Sequence, residues 1–213
     1  MPPMEQCLDE PLRNILAIMQ QRIVEQTTYF GVPALKSPLD YWVYQEIITE
    51  MRPDMIVEIG NHQGGSTLAL AHLCDALGTG QVIGVDITHE HVPDIVRQHP
   101  RIQLIQGDAC ACFNDVSQLC PANARVLVIE DSSHTYANTL NVLRTYSQLV
   151  KVNDYFIVED GICHHGVEAG PNPGPLEAVE TFVGERADFE IDRQRESFVI
   201  TWNPKGYLRR VAR

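Results

Sequence analysis

Acids close one apolar run after another through the middle of this chain: Glu58 in MIVEIG, Asp86 in VIGVD, Glu130 and Asp131 in VLVIED, and Glu159 and Asp160 in FIVED. Asp108 follows a fifth run, IQLIQG. At the carboxyl end of a strand in an open α/β sheet, such a side chain faces the crevice where these folds bind ligands. There it can accept hydrogen bonds from hydroxyls, pair with a cation or hold a metal ion.

After Glu58 comes Gly60-Asn61-His62-Gln63-Gly64-Gly65-Ser66. A dinucleotide turn needs G-x-G-x-x-G so that helix amides reach a pyrophosphate, and the second glycine of that pattern is missing. A carboxylate beside a pyrophosphate is electrostatically poor, whereas one facing an amino group or a sulfonium is favourable. The turn therefore predicts S-adenosylmethionine, with Glu58, Gly60, Asn61, Gly64, Gly65 and Ser66 at the cofactor. Asp86 is placed to accept ribose hydroxyls and Asp108 to read the adenine edge. The rival reading is a nicotinamide-dependent oxidoreductase, which only the shared topology supports.

Strands four and five are neighbours in such a sheet, so Asp131 can meet Glu159 and Asp160 at one rim. Asp131 also counts among the cofactor-binding residues. Three crowded carboxyl groups repel and partly protonate unless a cation holds them, and oxygen-only ligands suit a hard ion, Mg²⁺ before Ca²⁺ or Mn²⁺. His134, three residues after Asp131, is a candidate base for an acceptor hydroxyl, with His164 and His165 as the alternatives. An intact acid triad argues against the remaining rival, a non-catalytic accessory subunit that binds the cofactor for another enzyme.

The elements that must carry these residues are legible as apolar runs. Met55–Ile59, Gln81–Ile87, Ile102–Ile105, Ala124–Ile129 and Tyr155–Val158 read as strands buried on both faces of a parallel sheet. Helical stretches, residues 65–77, 93–98 and 137–150, alternate with them, which predicts an α/β doubly wound sheet. A further helix is expected over residues 176–186, then an antiparallel hairpin of Phe189–Arg193 and Ser197–Trp202. Residues 51–213 would form this Rossmann-like core and residues 1–50 an N-terminal helical segment, together one domain. In that segment Leu12, Ile15, Leu16, Met19 and Ile23 share a face, a surface for core packing or for a homo-oligomer. The Gly/Pro-rich stretch 160–175 is placed to wall the acceptor pocket.

A net charge of −12 disfavours a nucleic-acid partner. The basic residues near the C-terminus, Lys205, Arg209, Arg210 and Arg213, read as a solvated tail offsetting local acidity. No apolar run approaches membrane-spanning length, and the N-terminus lacks the pattern of a secretory signal. Six cysteines without C-x-x-C spacing suit reduced thiols. The expectation is a cytoplasmic enzyme acting on a small hydroxylated molecule.

LKSPLDYWVYQEII, RPDMIVEIG with GGS, IEDSSH, VEDG, GPLEAV and TWNPKGYLRR together resemble the cephalosporin hydroxylase family across residues 31–210. Despite its name, that family is similar to metal-dependent class I S-adenosylmethionine O-methyltransferases, some acting on macrolide sugars. The resemblance implies a seven-stranded sheet of order 3-2-1-4-5-7-6 with its last strand antiparallel, cofactor at residues 58–65 and Asp86, and Mg²⁺ at Asp131, Glu159 and Asp160. The spacing of Asp131 and His134 also looks like catechol O-methyltransferases, where a lysine stands at the second position. Two departures bear on the acceptor pocket: Ser133 where an acid is expected, and Tyr29-Phe30-Gly31 where Trp-x-Gly is.

Overall fold

The computed structural model describes residues 2–212. Helix α1 (Leu12–Gln26) leads to a small antiparallel hairpin, β1 (Thr28–Tyr29) and β2 (Val32–Pro33), and then to α2 (Pro38–Met51). The hairpin interrupts the all-helical segment expected from the sequence. Its turn residues Phe30 and Gly31 both have positive φ, 49° and 81°, as a two-residue hairpin turn requires. So short an element leaves no periodicity to read. Helix α2 begins where the Ser37 hydroxyl accepts the Asp40 amide at 3.4 Å and Pro38 fixes the first turn.

The main sheet contains β3 (Met55–Ile59), β4 (Gln81–Asp86), β5 (Ile102–Gln106), β6 (Val126–Glu130), β7 (Tyr155–Val158), β8 (Phe189–Ile191) and β9 (Tyr207–Arg210). Their order is β5-β4-β3-β6-β7-β9-β8, which is 3-2-1-4-5-7-6 when the seven are counted along the chain. β9 runs antiparallel to both neighbours, while β3 to β7 pair in parallel. Between the strands lie α3 (Gly65–Leu77), α4 (Asp94–Arg97), α5 (Phe113–Leu119), α6 (Tyr136–Tyr146) and α7 (Pro175–Glu185). α5 has no counterpart in the sequence reading; Val116 is its one fully buried residue, too little to make a periodic signal.

Strand alternation divides the core into two layers. Ile56, Leu127, Ile129 and Ile157 pack with Val43, Ile47 and Ile48 of α2 and with Leu70 and Cys74 of α3. Val57, Ile59, Val126 and Val128 face the other way, onto Leu140, Leu143 and Tyr146 of α6 and Phe182 of α7. On α1 the packed face is narrower than its pattern suggests: Leu16, Met19 and Ile23 meet Ile162, Val167 and Trp202, while Leu12 is exposed.

The closing hairpin is displaced from its expected position. β8 pairs with residues 208–210 of β9, not with 197–202. Val199 is exposed with a φ of 68°, and Thr201, Trp202 and Asn203 direct their polar groups to α2. The Asp40 carboxylate accepts from the Thr201 hydroxyl, the Trp202 amide (2.9 Å) and the Tyr207 hydroxyl (2.7 Å), and Asn203 donates to the Tyr44 hydroxyl (2.7 Å). These bonds replace a strand ladder, although FVITW alternates like a strand.

Among the described residues, the basic groups near the C-terminus each find an acid. Lys205 pairs with Glu180, Arg209 with Glu190 and Arg210 with Asp188; Arg213 lies outside the described residues. Among the described residues no helix is long and apolar enough to cross a membrane.

Candidate active site

The carboxyl ends of β3 to β6 open onto a cavity of about 280 Å³. Gly60, Asp86, Asp108 and Asp131 line it, with His62, Ala109, Ser132 and Asn138, which the sequence reading did not single out. The His62 amide donates to Asp86 Oδ2 at 2.7 Å, fixing that carboxylate against the glycine turn. Asp108 Oδ1 accepts the Ala111 amide at 2.9 Å.

The other turn residues lie behind the wall. Gly64 (φ 83°) caps α3, Gly65 lies against the carbonyls of Val32 and Pro33, Ser66 is buried within α3, and Asn61 meets His89 Nε2 at 3.0 Å in the interior. Gly60 is where close approach is greatest. Its φ is 86°, and a Cβ there would overlap the Asp131 carbonyl oxygen and lie 2.6 Å from Ser132 Cα. Gly60→Ala should therefore cost on the order of 3 kcal/mol, about 6–12 °C in melting temperature. Gly78→Ala, with φ 71° but open space around it, should lose only about 1 kcal/mol. Equal melting shifts would show that the close contact at Gly60 is not rigid.

Glu58 does not face the cavity. The pleat that sends Ile59 to the α6 side sends Glu58 to the α2/α3 side, where it is fully buried. Its Oε2 accepts the Thr67 hydroxyl at 2.5 Å, and the cation it meets belongs to the chain: Lys36 Nζ, 3.7 Å away. The sequence reading had aimed this carboxylate at the cofactor.

Lys36 lies between β2 and α2 and is almost buried, 9% exposed. Its ammonium donates to Asp131 Oδ2 and to Glu159 Oε1, the latter at 2.5 Å. Burial alone would lower its pKa, but Asp131, then Glu159 and Glu58, outweigh that and raise it, so the amine stays charged. The same charge helps hold Asp131 below the ordinary range against its own burial, while burial and Asp131 push Glu159 well above it.

On the cavity side of Asp131 a second group forms. His134 Nε2 lies 3.0 Å from Asp131 Oδ1 and 3.2 Å from Asp160 Oδ2. Among the described residues, Asp131, His134 and Asp160 are the one set of His, Cys, Asp and Glu side chains whose ligand atoms converge closely enough for a metal ion. Glu159, expected in that set, faces Lys36 instead. Burial would lower His134, but its hydrogen bond to Asp131, with the charges of Asp131, Asp160 and Glu130, raises it to about 9. Burial, then Asp131, lifts Asp160 to about 6. Without a divalent ion His134 is thus an imidazolium at neutral pH, not the free base the sequence suggested.

A raised histidine pKa stabilises the fold below its unfolded value of 6.5, and that contribution disappears as pH rises through about 9. In chelator, the melting temperature of the native chain should exceed that of His134→Gln most at about pH 6, with the gap closing by about pH 10. A gap that widens with pH would contradict the ion-pair assignment.

The alternative bases are engaged elsewhere. His164 Nε2 lies 3.0 Å from the Gly170 carbonyl oxygen, bridging the 160–175 loop internally, and His165 Nε2 lies 2.7 Å from Glu177 Oε1, tying the loop to α7. His134 and Asp160 both adopt left-handed backbone, φ 56° and 55°, a strain typical of functional turns. The Asp160 amide is held by Asn203 Oδ1 at 3.3 Å.

The profile of the rhamnosyl O-methyltransferase/CmcI family matches residues 21–211. The chain belongs to this family. It is 32% identical over 190 residues to a rhamnosyl O-methyltransferase of Mycobacterium tuberculosis (strain H37Rv), covering 86% of this chain and 78% of the relative. The rhamnosyl O-methyltransferase of Mycobacterium leprae is 34% identical over 189 residues, 85% of this chain and 82% of the relative. A structure of CmcI with magnesium and S-adenosylmethionine superposes with a TM-score of 0.68 at 28% identity, covering 87% of this chain and 77% of that one. The sheet is that of class I methyltransferases, and the chain is an S-adenosylmethionine-dependent O-methyltransferase. Membership decides against the nicotinamide reading.

Lys36 is the residue sequence reasoning missed. The requirement that crowded carboxylates be held by a cation pointed to it, and it stands inside LKSPLDYW, but the cation was assumed to come from outside.

Proposed function

We propose that this O-methyltransferase acts on a hydroxyl of a rhamnose-type sugar and uses Mg²⁺ held at the rim of the cavity. The observation that carries the reading is the convergence of Asp131 Oδ1 and Asp160 Oδ2 on one point beside the cavity, now taken by His134 Nε2. Two carboxylate oxygens converging where the imidazolium of His134 now sits fit a hard divalent ion, with Glu159 adjacent as a third acid and His134 free to turn aside as the base.

Asp86 accepts the ribose hydroxyls of the methyl donor, Asp108 lies at the adenine edge, and Gly60 lets the chain pass close to Asp131. Mg²⁺, when bound, supplies a Lewis acid that lowers the pKa of an acceptor hydroxyl and takes up the carboxylate charge that otherwise keeps His134 protonated. His134 then accepts the hydroxyl proton at Nε2 as the oxygen attacks the methyl carbon. The new C–O bond forms as the sulfur–methyl bond breaks, leaving S-adenosylhomocysteine. The six unpaired cysteines suit a reducing, cytoplasmic setting, and the exposed apolar residues Met4, Leu8 and Leu12 suit a homo-oligomer contact.

Titration of S-adenosylhomocysteine into the chain by calorimetry, with excess Mg²⁺ and again with chelator, tests the division of labour. Comparable micromolar affinity in both supports a cofactor site independent of the metal. Absence of binding in both would overturn the assignment of Gly60, Asp86 and Asp108 to the methyl donor.

A further inference from the structure

The acid cluster has two sides, and Asp131 joins them. Its Oδ1 faces His134 and the cavity, and its Oδ2 faces Lys36, Glu159 and Glu58 in the interior. Four acids, Asp131, Asp160, Glu159 and Glu58, are gathered with two cations, Lys36 and His134. Glu58 Oε1 is buried without a hydrogen-bond partner, which leaves Lys36 as the positive group nearest to it. An uncompensated buried carboxylate is costly, so the fold needs this ammonium when no divalent ion is present. Yet the ammonium takes Glu159 and one oxygen of Asp131, two of the three acids a metal would use.

We propose that Lys36 is a resident counter-cation that holds the carboxylate cluster together in the metal-free protein and competes with a divalent ion for Asp131 and Glu159. Its place in the chain suits both tasks. The backbone on either side is pinned, by Gly65 against β2 and by the cap of α2 at Ser37, while the four-carbon stem lets the head move. A lysine is the appropriate residue: its compact ammonium fits between two carboxylates, where a planar guanidinium would demand a wider, bidentate arrangement. Lys36 is thus a positioning residue, since it touches the acids and not the reacting atoms. Native affinity for Mg²⁺ is set below what the acids alone would give, and the fold does not depend on the ion.

The inference rests on the metal reading above, and the test separates the two. Mg²⁺ is titrated by calorimetry into the native chain and into Lys36→Met, an unbranched side chain of similar length, and both are melted with Mg²⁺ and with chelator. The variant should bind Mg²⁺ at least about tenfold more tightly. It should melt about 6 °C or more below the native chain in chelator and recover most of the difference in Mg²⁺. Lys36→Met that folds only in Mg²⁺ supports the proposal equally; insolubility in both conditions overturns it. The double variant K36M/E159Q removes the ammonium together with one of the acids it bridges and should melt in chelator within about 3 °C of native. A double variant as unstable as K36M would assign the effect to lost stem packing and overturn the charge argument. If the native chain binds Mg²⁺ and K36M binds it no more tightly, this inference fails alone. If neither binds, the metal reading fails with it.

Discussion

Asp131→Asn should lower turnover by about three orders of magnitude while S-adenosylhomocysteine binds within about tenfold of native affinity. The carboxylate stands at the junction of the site: one oxygen meets His134, the other Lys36, and its backbone carbonyl packs on Gly60. Asparagine preserves the shape and one acceptor oxygen but removes the charge that draws a divalent ion, which is worth several kcal/mol at the transition state. Asp86 at the end of β4 and Asp108 just after β5, the carboxylates proposed to hold the adenosine, are untouched. A variant with more than a tenth of native turnover would remove Asp131 from the chemistry. One that no longer binds S-adenosylhomocysteine would make it a cofactor residue alone.

The second large effect is expected at His134. His134→Gln keeps a hydrogen-bonding group within reach of Asp131 but cannot take a proton, so the rate at saturating donor should fall by about 10²-fold or more. Because a protonated imidazole cannot take the hydroxyl proton, the native rate in Mg²⁺ should rise with pH as the ring loses its proton. The variant should lack that limb. A loss below about threefold with the limb intact would assign proton removal to solvent.

How much of this was legible in the sequence follows from the range over which each determinant acts. Strands β3 and β7 were read to the residue because MIVEI and YFIV are continuous apolar runs bounded by polar turns. The order of the strands came from resemblance, since pairing joins segments far apart in sequence. Period-two alternation predicts which strand residues share a face but not which face the ligand occupies. Glu58, expected to face the cofactor, therefore lies on the other side of its strand, whereas Asp86 and Asp108 line the cavity. Lys36 was invisible for a related reason. It lies 95 residues from Asp131 and 123 from Glu159, and a lysine in a loop ordinarily points to solvent. The shift of the last strand to residues 207–210 was hidden because Asp40, on α2, claims the polar groups of Thr201 and Trp202. A hydrogen bond across 161 residues leaves no local pattern.

Methyl transfer from S-adenosylmethionine to a simple rhamnoside, followed by mass spectrometry with Mg²⁺ and with chelator side by side, tests the central claim most directly. The account predicts a mono-O-methylated sugar that forms in Mg²⁺ and not in chelator. Methylation at the same rate in chelator would contradict the metal role of Asp131 and Asp160. No methylation of any rhamnose hydroxyl by a chain that binds S-adenosylmethionine would contradict the assigned acceptor.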